Sequence, residues 1–148
     1  MKCLTICQPY ASLIVTPQAL LPVGQVQKRI ENRRWSTLYR GPLLIHAGKS
    51  REWFDGYDEI FPDVPFGAIV GCVELVGCVP RVDLGFPSMI EKYPWALDHV
   101  HMSGPYCWIL VDPVMFEMPI PFTGKQGLFE VDDSVIKEAG TLINADLH

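Results

Sequence analysis

The sequence lacks the usual marks of a covalent or metal scaffold. Its five cysteines, Cys3, Cys7, Cys72, Cys78 and Cys107, are odd in number and contain no C-x-x-C pair. That argues against a disulfide framework and against a zinc site. Cys3 and Cys7 share strand parity, as do Cys72 and Cys78, which suits small buried hydrophobes. His99, His101 and His148 have no partner at ligand spacing, so neither a metal nor a cofactor is expected. No apolar run approaches the ~20 residues that span a bilayer. The opening Met1-Lys2-Cys3-Leu4-Thr5-Ile6 has no signal-peptide core and goes straight into an alternating pattern. These absences lead us to expect a cytoplasmic protein with no membrane partner. Linkers, low-complexity tracts and internal repeats are missing too, so the 148 residues are expected to form one domain.

Positive charge is scarce except in one place. Of twelve basic residues, seven (Lys28, Arg29, Arg33, Arg34, Arg40, Lys49 and Arg51) fall within residues 28–51, where Glu31 is the one acidic residue. The segment carries +6 and the remainder −11, within a net charge of −5. A local basic patch can steer an anion despite an acidic whole. The competing reading is a set of ordinary solvated charges on a hairpin.

Nearly half the residues are apolar, enough for a core without staples. Alternation predicts strands over residues 2–7, 29–35, 41–47, 67–79, 106–112 and 126–131. A short helix is expected over 10–15, entered after Pro9 and stopped by Pro17, then a loop over 16–25. Residues 50–60, with Ser50 as cap, and 87–98 read as further helices. Mostly β with short helices (α+β) suggests a small closed or half-closed barrel flanked by helices, with a core at about 2–131 and a tail at 132–148. Along 67–79 both faces are apolar, which predicts a central strand. Glu74 falls amid one of them. A buried carboxylate needs a cationic partner or a raised pKa, and either ion pairing or catalysis satisfies that need.

Two stretches carry the specificity: Lys28-Arg29-Ile30-Glu31-Asn32-Arg33-Arg34-Trp35 and Tyr39-Arg40-Gly41-Pro42-Leu43-Leu44-Ile45-His46-Ala47. They follow Leu4-Thr5-Ile6-Cys7-Gln8-Pro9-Tyr10-Ala11-Ser12-Leu13-Ile14 and precede Phe66-Gly67-Ala68-Ile69-Val70-Gly71-Cys72-Val73-Glu74-Leu75 and Gly124-Lys125-Gln126-Gly127-Leu128-Phe129. Five segments in this order closely resemble the ASCH family of the PUA-like group. Val26 stands where the family has a glycine, Tyr10 where tryptophan is commoner, and the 16–25 loop is longer than usual.

Glu31 and Arg33 lie two apart on a strand and project to one face, which Trp35 continues. Lys28 has the opposite parity and joins them only if the chain bends near 28–30. Such a cleft suits a base or nucleoside: the aromatic stacks, Glu31 accepts from an exocyclic amine, and the cations take a phosphate or carbonyl. An internal Glu31–Arg33 bridge with Trp35 as core is the plain alternative. His46 reads as a hydrogen-bonded core residue or a cleft residue, and Arg40 as turn chemistry or a phosphate contact.

The resemblance implies a binding module for RNA, single-stranded nucleic acid, or a free nucleoside or modified nucleotide. It places the ligand-binding set at Gln8, Tyr10, Ser12, Lys28, Glu31, Arg33, Trp35, Arg40, His46 and Lys125. Its alternatives are a ribonuclease, or a small amidohydrolase deacylating N4-acetylcytidine through a lysine, a threonine and a glutamate. Lys28 matches that lysine, whereas the threonine position holds Glu31. In an enzyme, Lys28, Glu31 and Glu74 would be the catalytic candidates. An interaction module that has lost its ligand is a third reading.

Overall fold

The computed structural model describes residues 1–138. The fold is mostly β with short helices, as expected. In chain order the elements are β1 (Lys2–Ile6), α1 (Tyr10–Val15), β2 (Ile30–Arg33), β3 (Gly41–Ala47), β4 (Ala68–Pro80), α2 (Pro87–Lys92), β5 (Tyr106–Pro121), β6 (Leu128–Glu130) and α3 (Asp133–Glu138). The strands join one sheet in the order β2-β5-β4-β3-β1-β6. Two compact units divide the chain: residues 1–27, 42–73 and from 113 onward form unit 1, and residues 28–41 and 74–112 form unit 2.

Unit 1 is built on β1, which runs parallel to β3 with Lys2 opposite Leu43 and Ile6 opposite Ala47. Its other edge pairs antiparallel with β6, Cys3 facing Phe129. Cys3, Leu44, Ile69, Phe116, Phe129 and Val131 close a dry core. Burial pushes the Cys3 thiol up to about 12, with the Leu4 backbone and the N-terminal charge opposing, so it behaves as a small hydrophobe. The Gln8 side chain holds the start of α1. Its Oε1 accepts from the Ser12 N–H at 3.0 Å, and its Nε2 donates to Ser12 Oγ and to the Pro65 carbonyl. A second cluster forms around Leu13, Phe54 and Phe61.

Unit 2 packs Ile30, Val79, Leu84, Ala96, Cys107 and Ile109 together. Strand β2 runs antiparallel to β5, with Glu31 opposite Trp108 and Arg33 opposite Tyr106. Asn32 ties in the loop before β5: its Nδ2 donates to the His101 carbonyl at 2.7 Å, and its Oδ1 accepts from the Ser103 and Gly104 N–H groups. His99 fixes the entry to β2, its Nε2 accepting from the Arg29 N–H at 3.0 Å.

Several local expectations differ from what is found. Strand β2 does not form a hairpin with β3; β5 and β4 lie between them in the sheet order. Residues 50–60 form successive turns rather than a helix, with Gly56 in the left-handed region at φ +84°. Ser50 does accept from the Glu52 N–H at 3.2 Å, capping a turn. Helix α2 stops at Lys92, two residues before Pro94. Strand β5 continues to Pro121 through Asp112, which takes φ 52°. Its three prolines, Pro113, Pro119 and Pro121, all lie beyond the residues that β2 pairs, Tyr106 to Ile109. A ladder donor is dispensable on such an edge. In β4 one face is buried, whereas Cys72, Glu74 and Cys78 are half-buried and Val76 is exposed. That face is wet, so Glu74 needs no cation, and no ion pair holds it among the described residues.

Gly71 is required by packing, because a Cβ there would run into the Val114 carbonyl and lie 2.9 Å from Val15 Cγ1. Gly71→Ala should lower the urea midpoint by about 1–3 kcal/mol of stability or more. Gly85→Ala, with nothing within 4 Å of the new methyl, should stay within about 0.5 kcal/mol of wild type. His99 generates a pH prediction. Burial, then His101, Arg29 and Lys28, lower its pKa from 6.5 to about 4. The fold thus favours the neutral ring, and its contribution is complete above 6.5 and lost as pH falls toward 4. Urea midpoints measured from pH 7.5 to 4.5 should decline, and His99→Gln should flatten the upper part of that decline. An unaltered slope in the variant assigns it to other groups.

Candidate functional site

In unit 2 the strand parity of β2 does the positioning. Ile30 turns into the core, so Glu31 and Arg33 project to the other face. Residues 28 and 29 precede the strand, and from there Lys28 reaches Glu31 despite its opposite parity. Lys28 and Glu31 are each only 6% exposed. Lys28 Nζ lies 3.2 Å from Glu31 Oε1, while Arg33 sends both Nε and Nη2 to Glu31 Oε2, each at 2.8 Å. One carboxylate therefore holds two cations, each on a separate oxygen. Burial makes that double pairing obligatory, since either charge alone in a dry site carries a penalty of several kcal/mol.

Trp35 lies past the end of β2 rather than within it, and is 38% exposed. Its ring meets Trp108 edge-on, centroids 4.8 Å apart at 89°. Trp108 Nε1 donates to the Trp35 carbonyl at 3.3 Å. Trp108 is fully buried opposite Glu31, so it anchors both the aromatic and the charged part of the cluster. Sequence reading missed it. Its role depends on the β2–β5 register, and a lone tryptophan in an apolar strand gives no local signal of its partner. Arg29 leaves the cluster to stack on Trp95, its guanidinium 3.8 Å from the ring centroid. Arg40 donates from Nη1 to the Thr37 and Tyr39 carbonyls at 2.9 and 2.8 Å, holding its own turn. Glu74 is also in unit 2, half-buried.

Unit 1 holds the remaining candidates. Gln8 and Ser12 are buried and joined to each other, and Tyr10 is half-buried against the Leu13–Phe54–Phe61 cluster. Burial, then the nearby Tyr57, raise the Tyr10 pKa. His46 is 2% exposed. Its Nε2 donates to the Phe122 carbonyl at 2.6 Å, which leaves Nδ1 to accept from the Thr5 hydroxyl at 3.1 Å. Lys125 is exposed and lines a hollow together with Thr5 and His46. The structure thus gathers Lys28, Glu31, Arg33 and Trp35 in one unit, and Gln8, Tyr10, Ser12, His46 and Lys125 in the other.

All five cysteines are free thiols. Among the described residues no three His, Cys, Asp or Glu side chains are grouped to hold a metal ion. No helix of the described residues is long and apolar enough to cross a membrane.

Comparison with known proteins agrees with the fold. Activating signal cointegrator 1 from Homo sapiens is 26% identical over 149 residues, covering 90% of this chain and 22% of its own length. The Mus musculus protein of the same name is 27% identical over 147 residues, with the same coverage. The chain therefore spans about a fifth of these relatives. Among solved structures, ASCH from Zymomonas mobilis superposes with a TM-score of 0.54 at 16% identity, over 95% of this chain and 94% of that one. A serine-to-alanine mutant of the same protein gives 0.56 at 15%, with the same coverage. The profile of the ASCH domain matches residues 4–120: the chain belongs to the ASCH domain family.

Proposed function

We propose that this ASCH domain binds RNA or a modified nucleotide, and that the Lys28–Glu31–Arg33 cluster with Trp35 forms the ligand's recognition surface. One observation carries the reading. A half-exposed indole stands at the end of the strand whose carboxylate is bracketed by an ammonium and a guanidinium. An aromatic face takes a base by stacking, and a planar guanidinium takes a phosphate or a base edge. The acidic remainder of the chain favours a short single strand or a mononucleotide over a long duplex, since each phosphate needs a cation. On this reading residues 1–148 act as one domain in the cytoplasm.

Binding then depends on salt and on two side chains. A short single-stranded RNA followed by fluorescence anisotropy should lose about tenfold in affinity between 50 and 200 mM salt. Trp35→Ala should weaken it by about 1–3 kcal/mol, the worth of one stacked base. Removing Lys28 and Arg33 alone would strand the Glu31 carboxylate, so the charge test is Lys28→Ala with Glu31→Gln and Arg33→Ala. This variant should retain its fold by circular dichroism and lose measurable binding. Affinity indifferent to salt and to both variants would remove the nucleic-acid reading.

A hydrolase reading has one observation in its favour, the Glu74 carboxylate, half-exposed and without an ion pair among the described residues. Against it, Lys28 is held by Glu31 as an ion-paired ammonium, and an ammonium is neither a base nor a nucleophile. Wild type should show no Lys28-dependent hydrolysis of N4-acetylcytidine by chromatographic product analysis, with Lys28→Ala as control. Glu31→Thr, which restores the amidohydrolase-like triplet, is the variant in which turnover should appear. Lys28-dependent turnover by wild type would displace the binding module.

A further inference from the structure

Unit 1 carries two contiguous hollows that share Lys49, Thr123 and Lys125, with volumes of about 590 Å³ and 420 Å³. Gly67, Pro121 and Phe122 complete one; Thr5, His46, Gly48, Gly124 and Gln126 complete the other. No aspartate or glutamate lines either hollow, in a chain with 17 acidic residues against 12 basic ones. Lys49 and Lys125 make no ion pair within 4 Å among the described residues. Two ammonium groups held toward one space repel each other until an anion sits between them.

The walls are shaped for this. Gly67, at φ +66°, leaves room for the Lys49 stem, since a Cβ there would come within 3.1 Å of Lys49 Cε and 3.2 Å of Cγ. Gly124 lets the loop bearing Lys125 close on the floor of the other hollow. A Cβ on Gly124 would stand 2.6 Å from Thr5 Oγ1 and 2.8 Å from His46 Nδ1. Beneath that loop the Thr5–His46–Phe122 chain is satisfied at every link. His46 fastens β3 to the carbonyl just ahead of the lysine-bearing turn. The loop is therefore braced from below while Thr123 and Lys125 line both hollows.

We propose that the Lys49–Thr123–Lys125 hollow of unit 1 is a phosphate site that takes the phosphomonoester of a small phosphorylated ligand. Lysines act there as point charges on a dianion, and the hydroxyl donates to one of its oxygens. The combined space exceeds a bare phosphate and falls within the range of small-molecule sites, so the rest of the ligand has room against Phe122. The site shares no residue with the Lys28–Glu31–Arg33 cluster and stands or falls independently of it.

The test is a titration of the 148-residue chain, following backbone amides by two-dimensional NMR. Probes are inorganic phosphate, cytidine 5′-monophosphate, cytidine, and a short RNA with and without a 5′-phosphate, with sodium chloride at matched ionic strength as control. Phosphate and the nucleotide should produce saturable shifts at Lys49, Gly67, Gly124 and Lys125, and cytidine none. A preference for phosphorylated RNA identifies a strand end as the source, and equal response to the free nucleotide identifies a small metabolite. Lys49→Gln and Lys125→Gln, both at exposed positions, should each weaken phosphate at least fivefold, and together abolish saturation. The triple variant of the Lys28 cluster should bind phosphate as wild type does. Shifts that grow linearly and match those from chloride would mean an adventitious ion only and overturn the proposal. So would saturable binding that survives the double lysine variant.

Discussion

A carboxylate taken almost fully out of water has to be neutralised where it stands, and in unit 2 that requirement organises everything around Glu31. Lys28 reaches it from just ahead of β2, and Arg33 reaches it because two residues of strand return a side chain to the same face. Glu31 cannot lose both cations without being left as a bare buried charge, so electrostatics help fix the geometry of residues 28–33 alongside the ladder to β5. Trp108, opposite Glu31, supplies the dry wall that makes the pairing obligatory. The Lys28–Glu31–Arg33 cluster is in this sense the product of a folding constraint.

Much of this was legible in the residues. Alternation located all six strands to within a few residues, apart from the second half of β5, and the ordered segments identified the family. The Glu31–Arg33 face followed from parity, whereas parity alone left the place of Lys28 open. What was hidden depends on partners distant in sequence. Residues 29–35 and 41–47 look like a hairpin because they are close in sequence, yet β2 pairs with β5 and β3 with β1. The strand expected over 106–112 runs on to Pro121 because its prolines lie beyond the residues that β2 pairs, which sequence does not reveal. The apolar pattern around Glu74 looks buried because residue type reports what a face tolerates, not what covers it.

Counting charges likewise overstated what the basic segment offers a ligand. Arg29 is committed to Trp95, Arg40 to the carbonyls of its own turn, and Lys28 and Arg33 share a carboxylate. Lys49, numbered with the same segment, belongs to the other unit with Lys125. A run of like charges along a chain is thus redistributed by the fold into ion pairs, ring and carbonyl contacts, and lysines of a separate unit.

The perpendicular contact between Trp35 and Trp108 has an optical consequence. Two indoles 4.8 Å apart exchange excitation, yet one is sealed and the other is partly open to solvent. A molecule settling on Trp35 alters the environment of the open chromophore, and the coupling carries that change into the emission of the pair. Trp53 and Trp95 add a background of their own. The protein therefore carries, in its intrinsic emission, a label-free reporter placed at the surface where a base would stack.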